Sequence, residues 1–262
     1  MGHGTYIMVK KYKLSFMASD TLEARGALKS LVETYGQVEA DESDVIVALG
    51  GDGFMLETLH LTQPLNRPVY GMNCGTVGFL MNDFRKEDLQ SRLKKSQEEL
   101  INPLRMRAVS ATGQTHDSLA INEVSLLRIG AQAAKLKVSV DGKVRIEELV
   151  CDGALVCTPA GSTAYNYSAH GPILPIGSDV LALTAMSAFR PRRWRGALLP
   201  KIAQVRLEVL ESEKRPVVAY ADSRAAGPVT SVEIETEPAI VHKILFDPGH
   251  GLEERLITEQ FA

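Results

Sequence analysis

Residues 45–49, Val-Ile-Val-Ala-Leu, run straight into Gly50-Gly51-Asp52-Gly53, and this transition limits what the chain can fold into. Five consecutive apolar residues rich in β-branched Val and Ile are the pattern of a strand covered on both faces, as strands of a parallel sheet are. Glycines tolerate turns and close approaches that a side chain forbids. Residues 54–61 then read as a helix, which would aim its N-terminal amides and positive dipole end at the same spot. Open α/β sheets bind ligands at the carboxyl ends of their strands, and an anion such as phosphate suits this turn. A carboxylate beside phosphate is repelled by it, so Asp52 requires a metal ion or base chemistry there. The alternative is a turn that only ends a strand, with Asp52 capping the helix.

Around this stretch the first hundred residues alternate strand and helix. Residues 13–18 read as a strand, and Asp20 with Glu23 as a capping box. Leu28, Leu31, Val32 and Tyr35 then keep helical spacing up to Gly36. Residues 68–73 read as a third strand, 74–80 as a second glycine turn, and roughly 85–100 as a polar helix with Leu89 and Leu93 on one face. This alternation predicts a parallel-sheet α/β domain over residues 1–101. Beyond Asn102-Pro103, period-two patterns take over: 107–111, 119–127, then 135–140 and 144–146 around an Asp141-Gly142 turn. Further strands are expected at 154–158, 205–210, 217–221, 232–237 and 240–246. The second part, 102–247, is thus predicted to be mainly β and sandwich-like. No long linker divides the two, so the crevice between them is the expected ligand site.

A length of 262 residues allows one large domain or two modest ones, and 45% hydrophobic with 23% charged residues is ordinary for a globular chain. The net charge of −3 advertises no nucleic-acid partner. Cys74, Cys151 and Cys157 are widely spread with no CxxC, which suggests a reducing compartment. With no signal-like start and no apolar stretch of about 18 residues, a cytoplasmic protein without a membrane partner is expected. The sequence contains no GxxxxGK[ST], no GxGxxG after a strand, no HExxH and no GxSxG.

Four other stretches could carry chemistry. Gly75 and Gly78 form a second turn after a strand, and two such turns on one sheet edge suit a phosphate-rich ligand, or else allow tight packing. Asn122-Glu123 interrupts an apolar segment with donors and acceptors suited to a base edge and a ribose diol, or faces water as an edge pair. Thr158, Ser162, Thr163 and Ser168 crowd a loop of small residues leading into a helix, where one cap would suffice. Residues 190–195 pack four arginines around the only tryptophan, which suits phosphate or an acidic partner, or else a solvated loop or a subunit contact.

Taken together, Gly50-Gly51-Asp52-Gly53, Asn73-Cys74-Gly75-Thr76-Val77-Gly78-Phe79-Leu80, Asn122-Glu123, and Asp152-Gly153 with Gly161-Ser162-Thr163-Ala164-Tyr165 resemble the NAD kinases of the bacterial type, in order and spacing. The resemblance implies phosphate transfer from ATP, or in some members polyphosphate, to the 2′-hydroxyl of the adenosine ribose of NAD, with Mg²⁺ or another divalent cation. It implies an α/β domain to which the final residues, from roughly 248 to 262, return, a β-rich NAD-binding domain, and a homo-oligomer, often a tetramer. Asp52 would be the general base and Gly50, Gly51 and Gly75 the phosphate turns. Asn122 and Glu123 would bind adenine and nearby groups, Asp152 the nicotinamide side, and Thr163, Ala164, Tyr165 and Ser168 the adenosine region. Gly53, Phe79, Asn166 and Asp222 complete the expected substrate-binding set. Departures are Val150, where many members carry a basic residue two places before Asp152, Ala221-Asp222-Ser223-Arg224 in place of a cysteine-containing version, and residues 185–189, which lack a Pro-His pair. Gly-Gly-Asp-Gly also occurs in lipid and sugar kinases, and a silent NAD(P)-binding regulator is the non-catalytic alternative.

Overall fold

The apolar run before the glycine turn is a strand buried along its whole length. The computed structural model describes residues 11–75 and 78–249. In chain order the first elements are β1 (Leu14–Ala18), α1 (Leu22–Tyr35), β2 (Val45–Gly50), α2 (Asp52–Thr62), β3 (Val69–Asn73), α3 (Leu89–Lys95) and β4 (Gln97–Ile101). There follow β5 (Leu104–Val109), β6 (Thr115–Ala120), β7 (Glu123–Arg128), β8 (Ala134–Val140), β9 (Lys143–Cys151) and β10 (Gly153–Cys157). The last are α4 (Tyr165–Ser168), β11 (Val180–Met186), β12 (Gly196–Pro200), β13 (Val205–Val209), β14 (Val217–Ala221), β15 (Arg224–Val229), β16 (Ser231–Thr236) and β17 (His242–Phe246). The described chain divides into two units, residues 11–99 with 242–249, and residues 100–241.

The first unit is built on a five-stranded sheet in the order β1-β2-β3-β17-β4. β1 pairs with β2, β2 with β3 and β3 with β17, all in parallel. Leu31 of α1 is fully buried against the sheet with Val47, Leu49 and Tyr70. Helix α1 starts one residue later than the Asp20 capping box predicts: Thr21 is the cap and its side chain accepts the Ala24 N–H, while Asp20 pairs with Arg25 at the surface. The polar helix expected over 85–100 is shorter. Leu89 and Leu93 are buried as their spacing requires, but 97–101 leave the helix to become β4, where sheet pairing overrides local helix propensity.

The strand expected at 240–246 belongs to this sheet, so the chain returns to the first unit at His242, ahead of Pro248. A buried polar clasp holds it. Asn82 donates to the carbonyls of Gly71 (3.0 Å) and Leu245 (3.0 Å), and its side-chain oxygen accepts the Asp247 N–H at 2.8 Å. Asp247 in turn accepts Tyr70 Oη at 2.7 Å and Arg92 Nη2 at 2.5 Å. Burial alone would raise the Asp247 carboxyl, yet the bonds from Arg92 and Tyr70 hold it below its ordinary value.

The second unit is a sandwich of two six-stranded sheets, β12-β11-β10-β7-β14-β15 and β6-β5-β16-β13-β8-β9. Its core draws on both: Val124, Val156, Leu181 and Ala219 from one, Leu104, Leu136, Leu207 and Val232 from the other. The Asp141-Gly142 hairpin joins β8 to β9 with both residues at positive φ, 51° and 71°, the geometry of the tight turn such a pair favours. Residues 119–127 are not one strand. β6 ends at Ala120 in one sheet and β7 begins at Glu123 in the other, so Ile121-Asn122 form the corner between them.

Because the clasp satisfies three buried backbone groups at once, Asn82→Ala is expected to cost about 2–4 kcal/mol in urea unfolding. A loss under about 1 kcal/mol would show that the returning strand does not depend on it.

Candidate functional site

In the first unit the strand register sets Gly50 of β2 beside Asn73 of β3, so both glycine turns leave the same edge of the sheet. The Cys74 N–H bonds Gly50 O at 2.9 Å and ties the turns together. Gly51 precedes α2 in an extended conformation, which makes Asp52 the first residue of that helix. The Asp52 carboxylate is held from across the turn: Oδ2 accepts the Phe79 N–H at 2.7 Å and Oδ1 the Leu80 N–H at 2.9 Å. Gly78 makes this possible, because a Cβ there would lie 2.3 Å from Asp52 Oδ1. At Gly51, Gly53 and Gly75 an added Cβ would meet nothing within 4 Å, and Gly53 and Gly75 are exposed. Each carboxylate oxygen takes one amide hydrogen and keeps further acceptor capacity. Asn73 carries a buried side-chain oxygen with no hydrogen-bond partner among the described residues, and its amide donates to Gly75 O at 3.2 Å.

In the second unit the corner at Ile121-Asn122 is gripped by Asp222. Its Oδ2 accepts the Ile121 N–H at 2.8 Å, and Oδ1 accepts those of Asn122 (2.9 Å) and Glu123 (3.3 Å). Thr158 reinforces the corner, its hydroxyl donating to Ile121 O at 2.7 Å and its N–H to Asn122 O at 2.9 Å. The loop 160–163 lies directly on Asn122, where a Cβ on Gly161 would sit 2.2 Å from Asn122 O. The loop continues into α4, whose Tyr165 N–H bonds the Glu123 carboxylate. Asn122, Glu123, Thr163, Ala164, Tyr165 and Ser168 are thereby assembled around one corner. Ser168 and Tyr165 are exposed, Thr163 and Ala164 half-buried.

Two members of the expected substrate-binding set spend their bonds inside the protein. Asn166 is fully buried, donating to Ser162 O and Pro172 O and accepting from Thr184 Oγ1 at 2.6 Å. Asp222 acts on the corner's amides. Both hold the backbone around the corner and the loop that follows it. Asp152 stands apart at the start of β10, where Arg128 Nε donates to its Oδ1 at 2.6 Å. Arg128 carried no signal in the sequence. At the departure Val150, the backbone bridges to Arg190, and the Arg190 and Arg192 guanidinium groups stack on Phe189.

Glu123 is only 8% exposed, and burial, with the Asp222 charge adding to it and the Tyr165 N–H opposing, pushes its carboxyl up to about 7. Its Oε2 and Asn122 Oδ1 are buried and have no hydrogen-bond partner among the described residues. Adjacent residues thus offer two unused acceptors, which suit O–H and N–H donors such as a ribose diol and an exocyclic amine. Among the described residues no group of three His, Cys, Asp or Glu could hold a metal ion, and no helix is long and apolar enough to cross a membrane.

A carboxyl raised from 4.5 to about 7 keeps its proton to higher pH in the folded state, so it favours folding at low pH. That contribution is lost as pH rises from about 4.5 to about 7 and changes little above. Glu123→Gln is expected to flatten this part of the stability–pH curve and to be more stable than wild type at pH 8 by about 1–3 kcal/mol. Denaturant unfolding across pH tests this, and parallel curves for the two proteins would refute it.

The chain matches the family model for the ATP-NAD kinase N-terminal domain over residues 9–101 and that for the ATP-NAD kinase C-terminal domain over residues 121–234. An NAD kinase of Cereibacter sphaeroides is 66% identical over 250 residues, 95% of this chain and 98% of that protein. One of Caulobacter vibrioides is 54% identical over 250 residues, 95% and 96% of the two chains. Among solved structures, a yeast NADH kinase complexed with NADH superposes with a TM-score of 0.82 at 19% identity, covering 96% of this chain and 88% of that one. An NAD kinase from Archaeoglobus fulgidus in complex with ATP gives 0.74 at 22% identity, covering 94% and 97%. The two structures share the fold, and the sequence matches over both domains carry the rest: this chain belongs to the ATP-NAD kinase family.

Proposed function

We propose that this chain transfers a phosphoryl group from ATP to the 2′-hydroxyl of the adenosine ribose of NAD, giving NADP, with Asp52 taking the hydroxyl proton. The observation that carries the proposal is the Asp52 carboxylate, fixed by the amides of Phe79 and Leu80 at the head of α2. A ribose hydroxyl is too weak an acid to ionise at neutral pH, so a positioned carboxylate acts as the proton leaves. Phosphoryl transfer otherwise needs alignment and charge neutralisation. The N-terminus of α2 and the turns at Gly51 and Gly75, where no side chain blocks approach, would supply part of that.

The second unit supplies recognition. The unused acceptors of Asn122 and Glu123 take donors of the adenosine half, with Thr163, Ala164, Tyr165 and Ser168 beside them. Asp152 lies toward the nicotinamide. The described residues form no metal cage, which fits Mg²⁺ arriving on the phosphates of ATP and keeping several waters, with Asp52 the carboxylate at the turn able to approach it. Once bound, such an ion neutralises charge on the phosphate oxygens. Polyphosphate as a second donor, a cytoplasmic setting and a tetrameric assembly belong to the same reading and rest on resemblance to the family. The lipid-kinase and sugar-kinase alternatives are set aside by the match over both domains.

Asp52→Asn is expected to lower kcat for NADP formation from NAD and ATP by on the order of a hundredfold or more. The structure adds a stability cost, because an amide keeps one acceptor and leaves the Phe79 or Leu80 N–H facing an NH₂ group, worth about 1–3 kcal/mol. Turnover is therefore measured on the folded fraction determined by circular dichroism. Unchanged turnover would remove Asp52 from the chemistry.

A further inference from the structure

We propose that Arg128 tunes the choice between the oxidised and reduced dinucleotide by partly neutralising Asp152. The inference rests on the reading that Asp152 lies toward the nicotinamide. The oxidised nicotinamide ring carries a positive charge and the reduced ring does not, so a carboxylate nearby favours the oxidised form by simple attraction. In this protein that carboxylate is not alone.

Arg128 ends β7 and is fixed from three sides. Its Nε donates to Asp152 Oδ1 at 2.6 Å, its Nη1 donates to Gly130 O, and its backbone N–H donates to Asp152 O at 3.0 Å. The antiparallel register of β7 and β10, Leu127 opposite Gly153, makes the pairing a property of the sheet. Gly153 has no room for a side chain, since a Cβ would lie 2.2 Å from Leu126 O, so the two strands stay in close approach at this point. The ion pair engages only one Asp152 oxygen and leaves Oδ2 for a ligand. Arg128 and Asp152 side chains are 33% and 46% exposed, so water screens the pair and its effect is one of bias between two ligands. Arg190, bridged to Val150 nearby, stacks on Phe189. Arg128 is thus the cation that the structure places in direct contact with Asp152.

The test is the ratio of kcat/KM for NAD to that for NADH, with ATP and Mg²⁺, in wild type, Arg128→Gln, Arg128→Lys and Asp152→Asn. Arg128→Gln is expected to raise the ratio about three- to tenfold, an effect that shrinks with added salt. Arg128→Lys keeps the charge and should stay within about twofold of wild type, and Asp152→Asn should lower the ratio. A ratio that falls in Asp152→Asn yet does not move in Arg128→Gln overturns the role of Arg128 and leaves the Asp152 placement standing. A ratio unmoved in Asp152→Asn overturns that placement, and the inference with it. If Arg128→Gln does not fold, the neutral, unbranched Arg128→Met is measured against the same expectation. A merely structural arginine would lower both kcat/KM values together and leave their ratio in place.

Discussion

One carboxylate bridging two glycine turns is the constraint from which the first unit's chemistry follows. Asp52 begins a helix, and its two oxygens take one amide hydrogen each from Phe79 and Leu80, 27 and 28 residues further on. A helix N-terminus attracts an anion, and here the negative group is the protein's own carboxylate, compensated by two backbone donors from across the turn. An added Cβ at Gly51, Gly53 or Gly75 would meet nothing within 4 Å. Parallel pairing of β2 and β3 delivers both turns to the same edge, and the absent side chain of Gly78 lets them meet.

The second unit repeats the device in another form. The corner at Ile121-Asn122 exists because the chain leaves one sheet of the sandwich and enters the other, and a chain changing sheets exposes amides that no strand neighbour can satisfy. Asp222, itself at positive φ, takes three of them, and Thr158 takes up the carbonyls of Ile121 and Asn122. With the backbone satisfied, the Asn122 and Glu123 side chains keep acceptors to spare. Glu123 is buried close to the Asp222 carboxylate, and burial with that neighbouring charge raises its carboxyl.

The two units differ in what their sheets gather. A parallel sheet gathers strand ends and glycine turns along one edge, which suits phosphate. An antiparallel sandwich presents corners and loops, which suit the hydrogen-bonding edges of a base and sugar. Asn166, buried and bonded to Ser162, Pro172 and Thr184, pins the loop that follows the corner.

What the sequence determined by itself is local. Val45–Gly50 with its glycines, the helical spacing of Leu28, Leu31 and Val32, the Asp141-Gly142 hairpin and the change of period after Pro103 all encode structure within a few residues. They sufficed for the two architectures. Only the tertiary structure decided that Asp52 is clamped by residues 79 and 80, that Asp222 reaches back about a hundred residues to the 121–123 amides, that Arg128 meets Asp152, and that residues 242–246 complete the first sheet. The reason is physical. Periodicity reports which face of an element is apolar, whereas a side chain bonding a distant amide depends on strand register and on which sheet each strand joins, and neither leaves a mark in the residues it brings together.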